Sequence, residues 1–331
     1  MSAALTEQPL FAVQNLRVAF GHGGQYSEAV RGISLTVNHG EVLGIVGESG
    51  SGKSVGMLAS IGLQAETARV TGSVRFKGRE LVGMPRRELQ KLRGSRIAMI
   101  FQDPLSSLNP VMTVGWQIAE ALLLHNHDMT KKSAMQRAEE LLSLVAIPQP
   151  DRRLHQYPHE FSGGMRQRVM IAMAVANDPD LLIADEPTTA LDVTVQAQIM
   201  QVLADLQKRL NLGLVLITHD LGVLAGHADR VAVVYSGEIV EQASVEDLFV
   251  RPSHPYTRGL IASIPNMAVE RDRLFSIEGT PPVLGKLPGG CAFHPRCTMA
   301  QDICRRLAPP MRGTASHIAA CHFTDLPERH L

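Results

Sequence analysis

Apolar and polar positions change period several times along the chain, and each change predicts an element. FAVQNLRVAF, ISLTVN and VLGIVG are short runs rich in Val, Ile, Leu and Phe, the make-up of strands. GSVRFKG and RIAMIF have the same texture, whereas the residues after Lys53 read as a helix. From Thr113 to about Pro150 the period lengthens: AEALLL and QRAEELLSLV return apolar residues every three or four positions, which predicts helices. A further helix follows FSGGM, then a strand LLIAD, a helix near Val195 to Leu210, a strand LGLVLIT and a strand pair VAVVYSGEIVE. This alternation predicts an α/β domain with a helical insert at about residues 103–175. Past Arg251 the pattern breaks into prolines and short segments without a period, so a boundary is expected near residue 250. The expected organisation is a main domain over 10–250 and a small extension over 251–331.

A chain of 331 residues is long for one core, which agrees with two parts. Hydrophobic residues make up 45% and the formal net charge is zero, so nothing general points to nucleic acid or an anionic lipid surface. The longest apolar run, VMIAMAVA, is too short to cross a membrane. The opening MSAALTEQPL lacks the basic start and apolar stretch of a signal peptide. A cytosolic chain is expected, with any membrane association made through partners.

GESGSGKS, Gly47 to Ser54, follows the apolar strand VLGIV and precedes a helix. It matches the phosphate-binding P-loop. Its glycines Gly47, Gly50 and Gly52, with Glu48, Ser49 and Ser51 between them, let backbone N–H groups converge on phosphate oxygens at a helix N-terminus. Lys53 would reach the β- and γ-phosphates, and the Ser54 hydroxyl would ligate Mg²⁺. In LLIADEPTTALD a buried strand ends in two acids: Asp185 suits the metal, and Glu186 suits a general base on the attacking water. His219, in VLITHD, follows another apolar strand, where a γ-phosphate sensor would sit. Gln102, in MIFQDPLSSLNP, ends a strand and opens a loop, and its amide oxygen suits Mg²⁺. A glycine turn, a surface acid pair or a strand-end histidine would each be unremarkable alone; their order along one chain gives them weight.

These segments together resemble the nucleotide-binding subunit of an ATP-binding cassette (ABC) transporter over about residues 10 to 250. The resemblance implies an α/β P-loop NTPase domain with a mixed sheet and a helical subdomain. It also implies that Ser162, Gly163 and Gly164 of FSGGM meet the ATP held by a second cassette packed head to tail. Asp192, in TALD, would lie at the dimer seam. The commonest signature has Leu and Gln where this chain has Phe161 and Met165, but the serine and both glycines are kept. For the adenine platform, Phe20 fits the pattern best, with Tyr26 as the alternative. A soluble ABC ATPase acting on DNA or ribosomes usually carries a long coiled-coil insertion or tandem cassettes; neither pattern is seen here.

FSGGMRQRVMIAMA, IFQDPLSSLNP, HPYTRGL and GCAFHPRC are similar to the D-type ATPase subunit of dipeptide and oligopeptide importers and their nickel-importing relatives. That resemblance implies ATP hydrolysis coupled to import, two permeases, a second, different ATPase subunit and an extracytoplasmic binding protein. It implies a peripheral location on the cytoplasmic face of the inner membrane. The four cysteines, Cys291, Cys297, Cys304 and Cys321, all lie in the extension. Their loose spacing is not that of a zinc ribbon. A [4Fe–4S] cluster accepts such spacing; zinc with His294 or His322 as a substitute ligand, or four unrelated thiols, are the alternatives.

Overall fold

The computed structural model describes residues 8–22, 25–189, 191–264 and 276–327. The first seven residues of the opening segment, and Ala190 of TALD, lie outside them. Strands are numbered along the chain: β1 (Phe11–His22), β2 (Gln25–Val37), β3 (Val42–Val46), β4 (Arg69–Phe76), β5 (Arg79–Glu80), β6 (Ile97–Ile100), β7 (Leu181–Asp185), β8 (Gly213–Thr218), β9 (Arg230–Tyr235), β10 (Glu238–Ser244), β11 (Arg312–Gly313) and β12 (His317–Ala319). The chain divides into two compact units, one made of Met1–Leu10, Val37–Glu41 and Gly83–Leu216, the other of Phe11–Thr36, Val42–Val82 and Ile217–Leu331. The extension belongs to the unit that holds the P-loop.

In the first unit, strands run in the order β8-β7-β6, with β6 and β7 parallel and Ile97 opposite Leu181. Every residue of β7 and β8 is buried, so both read as continuous apolar runs, as strands covered on two faces do. Around them stand the helices Val114–His125, Lys131–Leu144 and Gly163–Val175, which pack on one another, and the long helix Val193–Leu210. Their shared core includes Ile118, Ala119, Leu122, Ala134, Ala138 and Leu141, all from the stretch with the three- and four-residue period, and Ile171 of the helix after FSGGM. Thr130 caps the second of these helices: its hydroxyl accepts from Ser133 N, while the Ser133 hydroxyl accepts from Thr130 N.

In the second unit, one sheet has the order β2-β1-β4-β5, with β1 and β4 antiparallel. The other strands run β11-β12-β10-β9-β3, β3 parallel to β9 and β9 antiparallel to β10. The mixed sheet expected from the resemblance is present. The extension contributes to it, because β12 pairs with β10, Glu241 opposite Ala319. Glu241 holds this junction. It is fully buried; its carboxylate accepts from the backbone N–H groups of Ser253 (2.7 Å) and His254 (2.8 Å), and its Oε1 lies 2.8 Å from Nε2 of His317. His254 then accepts from Tyr256 N through Nδ1 and so caps the helix Pro255–Ala262 of the HPYTRGL segment.

Candidate functional site

The P-loop leaves β3 and enters the helix Lys53–Ser60. Two of its glycines are fixed by space. A Cβ on Gly47 would lie 2.1 Å from the Val234 carbonyl oxygen, and one on Gly52 would lie 2.6 Å from that of Ala29. Gly52 also has φ +98°, a conformation that favours glycine. Lys53 is buried, and its ammonium donates to the carbonyls of Gly47 (2.7 Å) and Glu48 (3.0 Å), which curls the loop around its own lysine. Such a loop is a concave set of backbone N–H groups with a cation at its base, which suits a polyphosphate.

The same unit holds His219, exposed directly after β8, and Phe20, half-buried on β1. Tyr26, the other candidate for the base platform, has the Arg69 guanidinium 3.6 Å from its ring centroid. The C-terminal extension also reaches the loop. Glu48 forms a bidentate pair with Arg296 (2.6 and 2.9 Å), and its backbone N–H donates to the Tyr256 hydroxyl at 2.9 Å. Burial pushes the Tyr256 and Tyr235 phenols up, so both are neutral.

The first unit holds Gln102, Asp185, Glu186, the FSGGM turn and Asp192. Asp185 is buried at the end of β7, and Glu186 follows with φ +47°, a strained backbone for a residue with a side chain. Its carboxylate accepts from Gln102 Nε2 (3.0 Å) and from the Thr189 hydroxyl (2.8 Å). Gln102 and Glu186 therefore meet although 84 positions apart. Thr189 was not singled out from sequence; a hydroxyl three residues after an acid means little until the backbone of that acid turns back.

Ser162 and Gly163 are exposed at the start of the helix Gly163–Val175, and the Ser162 hydroxyl faces Met165 N at 3.4 Å. Phe161, where the common signature has leucine, is buried with the Arg153 guanidinium 5.6 Å over its ring. It is an apolar anchor, which is why a larger apolar residue substitutes there. A Cβ on Gly164 would lie 2.5 Å from Val195 Cγ1, so this glycine also serves the packing of its own chain. Asp192 is exposed and caps the helix Val193–Leu210, accepting from Val195 N at 3.0 Å.

The four cysteines line one cavity, together with His254 and Phe293. Cys304 is buried and the others are half-buried; burial pushes the Cys291, Cys297 and Cys321 thiols up. Among the described residues no group of three or more His, Cys, Asp and Glu side chains is arranged to hold a metal ion. His294 and His322, the alternative zinc ligands, direct ring nitrogens at the carbonyls of Cys291 (2.9 Å) and Leu307 (3.0 Å).

The profile of the ABC transporter family matches residues 30–189. That of the oligopeptide/dipeptide transporter C-terminal region matches residues 240–304. The dipeptide transport ATP-binding protein DppD of Lactococcus lactis subsp. cremoris is 52% identical over 97% of this chain and 93% of its own length. The chain belongs to the ABC transporter ATP-binding family. Another member, the oligopeptide transport ATP-binding protein OppD of Salmonella typhimurium, is 48% identical over 97% of both chains. The OppD of Mycobacterium tuberculosis is 52% identical over 96% of this chain, which spans about half (52%) of that relative's length. Among solved structures, a dimeric ATP-binding cassette in a post-hydrolysis state, bound to ADP and Pi, has a TM-score of 0.64 at 29% identity, over 71% of this chain and 98% of its own. The α/β cassette expected from the resemblance is the fold observed. No helix among the described residues is long and apolar enough to cross a membrane.

Proposed function

We propose that this chain is the ATP-hydrolysing subunit of an importer of dipeptides or oligopeptides. The observation that carries the reading is the Gln102–Glu186–Thr189 cluster beside the buried Asp185, in a chain that also holds a space-restricted P-loop and an exposed Ser162–Gly163 turn. Glu186 accepts the proton of the attacking water, and the hydrogen bonds from Gln102 and Thr189 hold its carboxylate in one orientation. Lys53, which the loop already positions, exchanges its two carbonyl partners for phosphate oxygens. Ser54, Asp185 and Gln102 are the residues that would hold Mg²⁺, which would neutralise charge on the β- and γ-phosphates. His219 senses the γ-phosphate and Phe20 stacks on the base.

Ser162, Gly163 and Gly164 meet the ATP of a second, different ATPase subunit, and Asp192 lies at the seam. ATP binding then favours the closed pair, and phosphate release reopens it. The subunit sits at the cytoplasmic face of the membrane, and two permeases that span it and an extracytoplasmic binding protein complete the assembly. The dipeptide and oligopeptide transport names of the relatives support this substrate class.

The thiol cavity is read as the site of a [4Fe–4S] cluster held by Cys291, Cys297, Cys304 and Cys321. The lining of one cavity by all four cysteines is what supports this reading. The cluster would staple a segment poor in regular structure. Anaerobically purified protein should contain iron and acid-labile sulfide, and the variant with all four cysteines changed to serine should contain neither. Equal metal content in both sinks this assignment. The transporter is tested by recovering tagged Glu186→Gln protein from detergent-solubilised membranes with ATP. Co-purification of two multi-span permeases and a second cassette is expected, and recovery with ribosomes or DNA instead would overturn the proposal. A co-purifying binding protein is then screened against peptides and nickel, with peptides the expected ligands.

A further inference from the structure

A P-loop accepts a ligand with several negative charges, and this one carries a carboxylate of its own, Glu48, as its second residue. An uncompensated acid beside bound phosphates repels them. Arg296, 248 positions away in the extension, offsets it: the guanidinium meets both carboxylate oxygens, and its side chain is only 4% exposed. Its remaining N–H groups go to the Glu278 carbonyl (3.0 Å), the Ile277 carbonyl (3.3 Å) and the Tyr235 hydroxyl (3.5 Å). All the donors of the planar fork are thus used, which fixes its position rather than leaving a surface ion pair. The Phe293 and Tyr235 rings flank it, each centroid 5.9 Å from the guanidinium carbon. The fully buried Tyr256 adds a second tie by accepting the backbone N–H of Glu48 at 2.9 Å.

We propose that Arg296 and Tyr256 are positioning residues for ATP binding: the extension braces the P-loop through the side chain and backbone of Glu48 and cancels its charge. This rests on the nucleotide-site reading above. It gives the extension a part in the nucleotide site that its own cysteine cavity does not require.

The test is the affinity of the purified full-length chain for the slowly hydrolysed analogue ATPγS with Mg²⁺, by calorimetry. Arg296→Gln should weaken binding about ten-fold, the scale of one lost charge-assisted interaction. Combining it with Glu48→Gln removes the uncompensated charge and should restore most of that loss, an outcome a purely structural arginine would not produce. Unchanged affinity in Arg296→Gln overturns the proposal, and so does a double variant as weak as the single one. Lys53→Ala separates the two levels of the argument. If it leaves binding intact, ATP does not sit at this loop and both readings fail; if it abolishes binding while Arg296→Gln does not weaken it, only the brace fails. Should Arg296→Gln not fold, Tyr256→Phe decides, since it removes one hydroxyl and keeps the ring. Weakening of about three-fold is then expected for the lost hydrogen bond, and wild-type affinity overturns the brace.

Discussion

The junction between cassette and extension turns on one carboxylate, so Glu241→Gln tests how the extension is held. Glu241 is fully buried and takes three N–H groups: Ser253 N and His317 Nε2 on Oε1, and His254 N on Oε2. Glutamine keeps the size but offers one acceptor oxygen. If that oxygen retains Ser253 and His317, the amide NH₂ faces the His254 N–H, and a buried donor is left without a partner. That costs about 1–3 kcal/mol, and two charge-assisted bonds become neutral at about 1 kcal/mol each. Relief of the buried carboxylate's desolvation offsets part of this, leaving a net loss of about 2–4 kcal/mol. With a urea m-value of about 3 kcal/mol/M, the midpoint should fall by about 1 M. The single tryptophan, Trp116, lies in the other compact unit, so its fluorescence is the wrong probe. Hydrogen exchange over residues 251–262 and 312–320 reads the junction directly, and protection there should drop. A midpoint within about 0.3 M of the parent, with unaltered protection in both segments, would refute the reasoning.

Glu186→Gln should retain ATP binding and lose at least about a hundred-fold in turnover, the lower range for a general base; rapid hydrolysis by the variant would end that assignment. Gly164→Ala brings a methyl to 2.5 Å from Val195 Cγ1, so stability should fall by about 1–3 kcal/mol. Parent-like denaturation of that variant would show that the helices part easily there. Gly47→Ala meets a backbone carbonyl at 2.1 Å, which no rotamer change relieves, and should weaken ATP binding more than ten-fold, by about 1.4 kcal/mol or more. Unweakened binding, again by calorimetry, would contradict the close approach of the Val234 carbonyl.

Elements with a period or a fixed local spacing were readable before the fold was known. β3 and the first four residues of β7 are apolar because both faces are covered, and each run ends where chemistry begins, at Gly47 and at Asp185. The helices from Val114 to Leu144 declared themselves by the residues they bury. What stayed hidden were contacts between single polar residues far apart in the chain. Glu241 and His317 are 76 positions apart and Glu48 and Arg296 are 248 apart, and a lone pair leaves no period. The strand β12 is three residues long, too short for alternation to register. It pairs at β10 where Glu241 supplies a buried acceptor to its histidine. That acid carries a signal of its own. In EIVEQAS, Glu241 is a charged residue inside a run that is buried from Ile239 to Ala243, and a carboxylate placed there must find donors or be expelled. Its presence says that a partner is required, while only the fold can say which of thirteen histidines provides it. The same asymmetry holds at the P-loop. An acid inside an anion-binding turn calls for a compensating cation, and the chain's arginines are too many to choose among until the extension folds back and presents Arg296.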